Sequence, residues 1–230
     1  MATYDLEEQE QLAEVKAWWK QYGNLVINLV TIASLAVAAW QGWNWYQRSQ
    51  AAQASAVNVV LMSAVQEGNT QRIKAASGEL LEKFGRTRYA QLGALVAASA
   101  LLEAGDAKSA KAQLEWAAEN SKEELRELAR LRLAAVLLDE KAYDQALKQL
   151  EGDMNPGFEA LFAENRGDVL KAQGKKAEAL AAYRKAQAKI DEIGKREKTK
   201  GLEQDWQAQS ATIHREILQQ KIDALGGGKS

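Results

Sequence analysis

The chain has 230 residues, and its 30 basic and 31 acidic side chains nearly cancel to give a net charge of −1. This balance leaves no electrostatic footprint for nucleic acid, and the absence of cysteine excludes disulfides, a thiol nucleophile and cysteine-based metal sites. With one proline and abundant Ala, Leu, Glu, Lys and Gln, the chain is expected to be nearly all helical.

Residues 21–47 carry no charged side chain and are predicted to cross a membrane as one helix. Trp19 and Trp40 are about 31 Å apart at the helical rise per residue, which is close to the hydrocarbon thickness of a bilayer. Tryptophan belts and flanking basic residues are typical of the two membrane interfaces. The predicted interface anchors are Trp18, Trp19, Trp40, Trp43, Trp45, Lys16, Lys20 and Arg48.

This apolar segment has two alternative interpretations. One is a buried core helix, although a soluble helix of this length normally has a charged face. The other is a cleaved signal peptide that ends at the small residues 54–56. Against it, residues 1–20 form a long acidic tail, and bulky tryptophans separate the apolar run from the cleavage site. A retained anchor is favoured.

The basic residues at the ends of the span favour one orientation. Lys16 and Lys20 precede it, whereas Arg48 is the one basic residue that follows it closely. Because basic residues are retained on the cytoplasmic side, the N-terminus is predicted to be cytoplasmic and the C-terminal domain exported.

A repeat of about 34 residues organises the remainder of the chain. One set of alanines recurs at intervals of 34, 36 and 33 residues, and a small residue stands twelve positions before each of them. The two sets are Ala76, Ala110, Ala146 and Ala179, and Ala64, Ala98, Ala134 and Gly167. An alanine-rich bundle without repeats has a similar composition, but composition alone does not fix these offsets. The pattern predicts tetratricopeptide-like helix pairs.

The predicted fold is all-α: a single N-terminal transmembrane helix followed by a tetratricopeptide-repeat-like α-solenoid with a C-terminal capping helix. The capping helix has apolar residues at helical spacing, among them Ile213, Ile217, Leu218 and Ile222. The expected boundaries are an acidic cytoplasmic tail at 1–20, the span at 21–47, about four repeats at 48–200, the capping helix at 201–225 and a flexible tail at 226–230.

The chain lacks a recognisable constellation for catalysis, and no catalytic residue, cofactor site or metal site is predicted. His214, the one histidine, is expected to be a surface or capping residue. Glu123 and Glu127 stand three or four residues from arginines, which predicts a solvated, ion-paired helix face. The terminal glycines followed by lysine and serine imitate a phosphate-binding loop but lack its preceding strand.

A leucine-lined groove is predicted on the concave face of the repeats, where it would bind an extended or helical segment with apolar side chains. In the alternative interpretation, the final helix or the membrane-proximal segment covers these leucines as ordinary core. The predicted groove residues are Leu92, Leu95, Leu102, Leu128, Leu131, Leu138 and Leu161.

Several sequence segments, in their order along the chain, resemble those of the YfgM family of ancillary SecYEG translocon subunits. They are Val15-Lys16-Ala17-Trp18-Trp19-Lys20, Arg86-Thr87-Arg88-Tyr89-Ala90, Gln113-Leu114-Glu115-Trp116-Ala117-Ala118, Leu128-Ala129-Arg130-Leu131-Arg132-Leu133-Ala134 and Phe162-Ala163-Glu164-Asn165-Arg166-Gly167-Asp168. The resemblance covers nearly the whole chain except the glycine-rich C-terminal tail.

The resemblance implies a single-pass protein of the Gram-negative inner membrane with a periplasmic repeat domain and no catalytic residues or cofactor. Its implied partners are the SecYEG translocon, a PpiD-type membrane-anchored chaperone and unfolded exported polypeptides. It also implies a stress-signalling role for the cytoplasmic tail. The competing function is a structural scaffold of another cell-envelope assembly complex; the absence of a lipid-carrying cysteine disfavours an outer-membrane version.

Overall fold

The computed structural model describes the backbone of residues 3–200 and 205–227 and the side chains of residues 10–195 and 211–227. All regular structure in these ranges is helical, which confirms the expected class. The helices are α1 (Thr3–Gln66), α2 (Thr70–Phe84), α3 (Arg88–Glu103), α4 (Ala107–Asn120), α5 (Glu123–Asp139), α6 (Tyr143–Gln149), α7 (Glu159–Ala172), α8 (Lys176–Lys200) and α9 (Asp205–Asp223). One turn of 3₁₀ helix, Pro156–Phe158, precedes α7.

The chain divides into two compact units, residues 1–53 and 54–230. α1 contributes to both, and its residues from Ala54 onward form the first helix of the second unit. Residues 201–204 and 228–230, where the capping helix was expected to begin and the tail to end, lie outside the described residues, as do residues 1–2.

Side-chain caps begin several helices of the second unit. Asn69, Thr87 and Asp106 accept hydrogen bonds from main-chain N–H groups in the first turns of α2, α3 and α4, at 3.1, 3.3 and 3.1 Å. Asp106 also pairs with Lys74 of α2 at 3.0 Å. Hydrogen bonds from Lys74 and from the Ser109 amide lower the pKa of Asp106 to about 2. Asp106 therefore caps α4 and ties it to the preceding helix pair.

The turns between paired helices each place one residue in the left-handed region. Gly105 and Gly174 have φ values of 78° and 79°, which glycine adopts without Cβ strain. Lys141 takes the corresponding position between α5 and α6 with a φ of 60°. The N–H groups of all three residues bond to the carbonyl three residues earlier, at 2.9 or 3.0 Å. A lysine therefore stands where the turn geometry favours glycine.

Small residues allow the paired helices to pack closely. The sites on the first helices and those on the second helices are all buried: Ala64, Ala98, Ala134 and Gly167, and Ala76, Ala110, Ala146 and Ala179. Four residues beyond the second set, each pair buries a larger side chain: Leu80, Leu114, Leu150 and Tyr183. The phase read from the sequence is thus the phase of the packing.

The buried residues form two hydrophobic clusters. The larger extends from the end of α1 to α7, and the smaller joins α7, α8 and α9. Leu218 and Ile222 of α9 are buried in the smaller cluster, whereas Ile213 and Ile217 are exposed. α9 therefore covers the last helix pair with one of its faces, as a capping helix does.

Glu127 departs from the solvated position expected for it. Its side chain is fully buried on α5 and pairs with Arg126 at 3.0 Å and with Arg130 at 3.2 Å. Arg130 also donates from Nε to the carbonyl oxygen of Gln149 at 2.9 Å, and its guanidinium lies 4.9 Å from the Phe162 ring centroid. A buried carboxylate requires such partners, so Glu127 helps to fix the connection that follows α6.

Candidate membrane anchor and binding groove

Among the described residues, α1 is the one helix that is long and apolar enough to cross a membrane. In the first unit its large apolar side chains are exposed, including Leu29, Ile32 and Leu35 at 59, 64 and 65 %. All the predicted interface tryptophans are at least half exposed, and the three predicted basic anchors are exposed as well. This exposure makes α1 a candidate membrane span, because a core helix of a soluble protein buries such side chains.

A groove of about 310 Å³ lies in the second unit between the end of α1, α3 and α5. It brings together three of the predicted groove residues: Leu92, Leu95 and Leu128. Its full lining is Val65, Leu92, Leu95, Val96, Ser99, Ala100, Glu103, Leu125, Leu128 and Arg132. Most of these side chains are apolar, with one acid and one base among them.

Arg132 gives the groove a fixed polar feature that the sequence interpretation missed. Its guanidinium donates to the Leu95 carbonyl oxygen at 3.3 Å and to the Ser99 hydroxyl at 3.1 Å. It thereby links α5 to α3 along the groove wall. The available signal was its spacing, since Arg132 follows Leu125 and Leu128 by seven and four residues on the same helix face.

The remaining predicted leucines lie elsewhere. Leu131, like Leu95, is almost completely buried in the larger hydrophobic cluster, at 8 and 3 % exposure. Leu138 is partly buried against that cluster. Leu102 and Leu161 are exposed at 38 and 37 % but do not line the groove. The predicted set therefore contains core residues, groove residues and exposed residues outside the groove.

The two segments that were alternatively expected to cover the leucines, the final helix and the end of α1, differ in their relation to the groove. No residue of α9 lines the groove between α3 and α5 within the described part of the chain. The end of α1 contributes Val65 as a wall. The end of α1 thus builds one side of the groove without covering it, and Leu92 on α3 stays 46 % exposed.

A polar cluster that the sequence interpretation did not foresee fastens α9 to α7. His214 Nε2 lies 2.5 Å from Glu164 Oε2, and Lys221 Nζ lies 2.8 Å from both Glu164 Oε1 and Asp168 Oδ2. The Tyr183 hydroxyl donates to Asp168 Oδ1 at 2.8 Å. His214 is accordingly a residue of the cap, as expected, but it has a specific carboxylate partner fifty residues earlier in the chain.

The pKa shifts of this cluster follow from its pairing. Burial alone would raise the pKa of Glu164, but hydrogen bonds from Lys221 and His214 outweigh burial and lower it. Burial alone would lower the pKa of Lys221, but Asp168 and Glu164 raise it. Burial and the hydrogen bond to Asp168 raise the pKa of Tyr183. The charged forms of the acid and the amine are therefore favoured together, which suits an ion pair that holds two helices.

The described residues offer surfaces suited to binding, namely the exposed apolar length of α1 and the groove between α3 and α5. Within the side chains that the structure describes, no group of three or more His, Asp or Glu residues is placed to hold a metal ion. A larger cavity of about 690 Å³, lined by Phe162, Arg166, Ala182, Lys185 and other residues between Leu150 and Lys189, contains none of the predicted groove leucines.

Comparison with known proteins shows which family the chain belongs to. A family model described as a tetratricopeptide repeat-like domain matches residues 16–227. A protein of Neisseria gonorrhoeae named ancillary SecYEG translocon subunit is 32 % identical over 225 residues, which cover 96 % of this chain and 98 % of the relative. Proteins of the same name from Haemophilus influenzae and Escherichia coli are 31 and 32 % identical, covering 80 and 76 % of this chain and 90 and 85 % of theirs. These findings confirm the resemblance and the repeat fold, and the chain belongs to the YfgM family of ancillary SecYEG translocon subunits.

Proposed function

We propose that this chain is a membrane-anchored, non-catalytic subunit of the SecYEG translocon that binds newly exported polypeptides and passes them to periplasmic chaperones. The name shared by its relatives supports the association with SecYEG. The observation that carries the binding role is the open, largely apolar groove between α3 and α5.

The groove suits a short segment with exposed apolar side chains. Leu92 and Leu128 line it from facing helices, and Leu95 forms its buried floor. Arg132 and Glu103 offer a donor and an acceptor at its wall, which could orient the main chain of a bound segment. Unfolded polypeptides expose such apolar segments before they fold. A PpiD-type chaperone in the same membrane is the proposed recipient.

The anchor makes weak contacts sufficient. A short tether raises the effective concentration of a binding site near its target to the order of millimolar. The proposed orientation places the acidic tail of residues 1–20 in the cytoplasm and the repeat domain in the periplasm of the inner membrane, as the basic residues Lys16 and Lys20 favour. The tail is then available for the proposed stress-signalling role.

Photo-crosslinking of the full chain in intact membranes tests this function. A photoreactive residue replaces Leu92, Val96 or Leu128 in the groove, and Glu115, exposed on α4, serves as the matched control. Adducts with translocon subunits, the chaperone or exporting chains are expected from the groove positions alone. Equal yields of these adducts from the position of Glu115, or their absence from all three groove positions, would overturn the proposal.

A further inference from the structure

Polar or small side chains recur at seven-residue spacing along one face of the apolar part of α1, with Leu35 as the one large apolar residue among them. We call this face the polar seam. It consists of residues spaced by seven, together with the residues three positions after them: Gln21, Asn24, Asn28, Thr31, Leu35, Ala38 and Gly42. At about 100° per residue, the seam occupies a sector of roughly 100° of the helix surface. The opposite face of the helix carries Trp19, Val30, Val37 and Trp40. The seam is thus one face of the predicted span.

Two carboxamides on the seam have no hydrogen-bond partner among the described residues. The Thr31 hydroxyl donates to the Ile27 carbonyl oxygen at 2.8 Å and is satisfied within its own helix. The side chains of Asn24 and Asn28 are exposed, and the described part of the chain offers them no hydrogen bond. Asn28 lies about 2 Å from the midpoint between Trp19 and Trp40 along the helix axis, at the centre of the membrane. An amide at that depth needs a partner, because lipid supplies none.

The seven-residue spacing indicates which kind of partner fits. Hydrophobic or polar positions that recur in this way form the contact line of two helices that pack at a small left-handed angle, which is the usual geometry in membranes. Ala38 and Gly42 at the far end of the seam permit close approach of a second backbone. Ser34 and Gln41 are also polar but lie off the seam.

We propose that the polar seam pairs with the same seam of a second copy of this chain, as a parallel transmembrane dimer. Copies of a single-pass protein share one orientation, so Asn28 meets Asn28 and Asn24 meets Asn24 at equal depth. A carboxamide carries both donors and an acceptor, so each pair is self-complementary. Polar residues at such positions fix the register and the two-chain state. Any other helix would have to supply matching polar groups at both depths.

This inference rests on the proposed membrane crossing of residues 21–47 and is independent of the groove. It adds an oligomeric partner to the proposed function, and each assembly would contain two grooves. Two binding sites on one membrane-held assembly raise the avidity for a client that exposes more than one apolar segment.

Cysteine crosslinking of the full chain in native membranes tests the dimer, and the chain is suited to it because it contains no cysteine. Leu35→Cys and Ala38→Cys place a thiol on the seam, and Val37→Cys places one on the opposite face at nearly the same depth. Oxidation with copper phenanthroline is expected to give a covalent dimer from the two seam variants and little from the control.

The asparagines are tested in the Leu35→Cys background. Asn24→Leu together with Asn28→Leu is expected to lower the dimer yield roughly threefold or more, as the loss of interhelical hydrogen bonds implies. Ser34→Leu, which removes a polar group off the seam, is the matched control and is expected to leave the yield unchanged.

Three results would overturn the dimer: equal yields from both faces, no dimer from any position, or an asparagine double variant that dimerises as well as its parent. Crosslinking of the seam to a different membrane protein, with no self-adduct, would also overturn it. Resistance of each variant to alkaline extraction reports the membrane crossing separately. If alkali extracted the unmutated chain from the membrane, residues 21–47 would not cross it. This inference would then be wrong, whereas the groove experiment would be unaffected.

Discussion

The ring of Tyr183 on α8 fills the space that a side chain at Gly167 of α7 would occupy. A Cβ atom added to Gly167 would lie 2.5 Å from Cε1 of the Tyr183 ring, which is far below van der Waals contact. In the other helix pairs the two positions are an alanine and a leucine: Ala64 with Leu80, Ala98 with Leu114, and Ala134 with Leu150. In the fourth pair, therefore, the residue on the first helix is smaller than in the other pairs, and the residue on the second helix is larger.

We expect Gly167→Ala to destabilise the chain by about 1–3 kcal/mol, because the new methyl group collides with a fully buried ring. Tyr183→Leu restores the volume relation of the other pairs and should recover part of that loss in the double variant. Thermal unfolding of the full chain in detergent, followed by circular dichroism, measures all four states of the cycle. Additive effects of the two substitutions would contradict the shared packing position.

The cluster around Glu164 predicts an acid-sensitive cap. The pKa of Glu164 is lower in the folded chain than its ordinary value of 4.5, so the folded state holds its proton less tightly than the unfolded state does. The resulting stability is fully present above about pH 4.5 and is lost as the pH falls through the lowered folded pKa. Glu164→Gln should remove this pH dependence and cost about 1–3 kcal/mol at neutral pH, since Lys221 loses a charged partner.

Unfolding of Glu164→Gln and the parent chain between pH 3 and about 7 checks this prediction, within the range where carboxylates titrate. Glu79→Gln is the matched control, because Glu79 pairs with Lys83 on an exposed helix face and should leave the profile unchanged. Parallel pH profiles for the Glu164 variant and the parent would show that this carboxylate does not hold the cap.

The repeat was predictable from sequence because it is a local signal. Ala98 and Ala110 lie twelve residues apart across one turn, and their burial follows from that spacing alone. The pairing of Glu164 with His214 was not predictable, because it depends on where α9 docks fifty residues later. Glu127 shows a third case: a charge pattern of i, i+3 partners is the same on a solvated face and around a buried carboxylate.

Lys141 offers a stabilising substitution. Its φ of 60° costs a residue with a Cβ atom about 1 kcal/mol, and its side chain is exposed. Lys141→Gly should therefore raise the free energy of unfolding by about 0.5–1 kcal/mol, even though glycine gains more entropy on unfolding. Gly105→Ala and Gly174→Ala, at the same position of neighbouring turns, should destabilise the chain. If Lys141→Gly destabilises it as well, the strain at this turn is not the governing effect.

The last prediction separates groove residues from core residues by exposure. Leu92→Gln should abolish client adducts in the crosslinking experiment with a photoreactive residue at Leu128, and should leave the unfolding temperature unchanged, because Leu92 is 46 % exposed. Leu95→Gln should unfold the chain at a lower temperature, since placing an amide at a site only 3 % exposed costs about 2–5 kcal/mol.

Leu102→Gln is the matched control for Leu92→Gln, because Leu102 is an exposed leucine on the same helix that does not line the groove. It should retain both stability and client adducts. If Leu92→Gln keeps its adducts while Leu102→Gln loses them, clients bind at the surface around Leu102 and not in the groove. If both variants keep them, client binding depends on neither of these two exposed leucines.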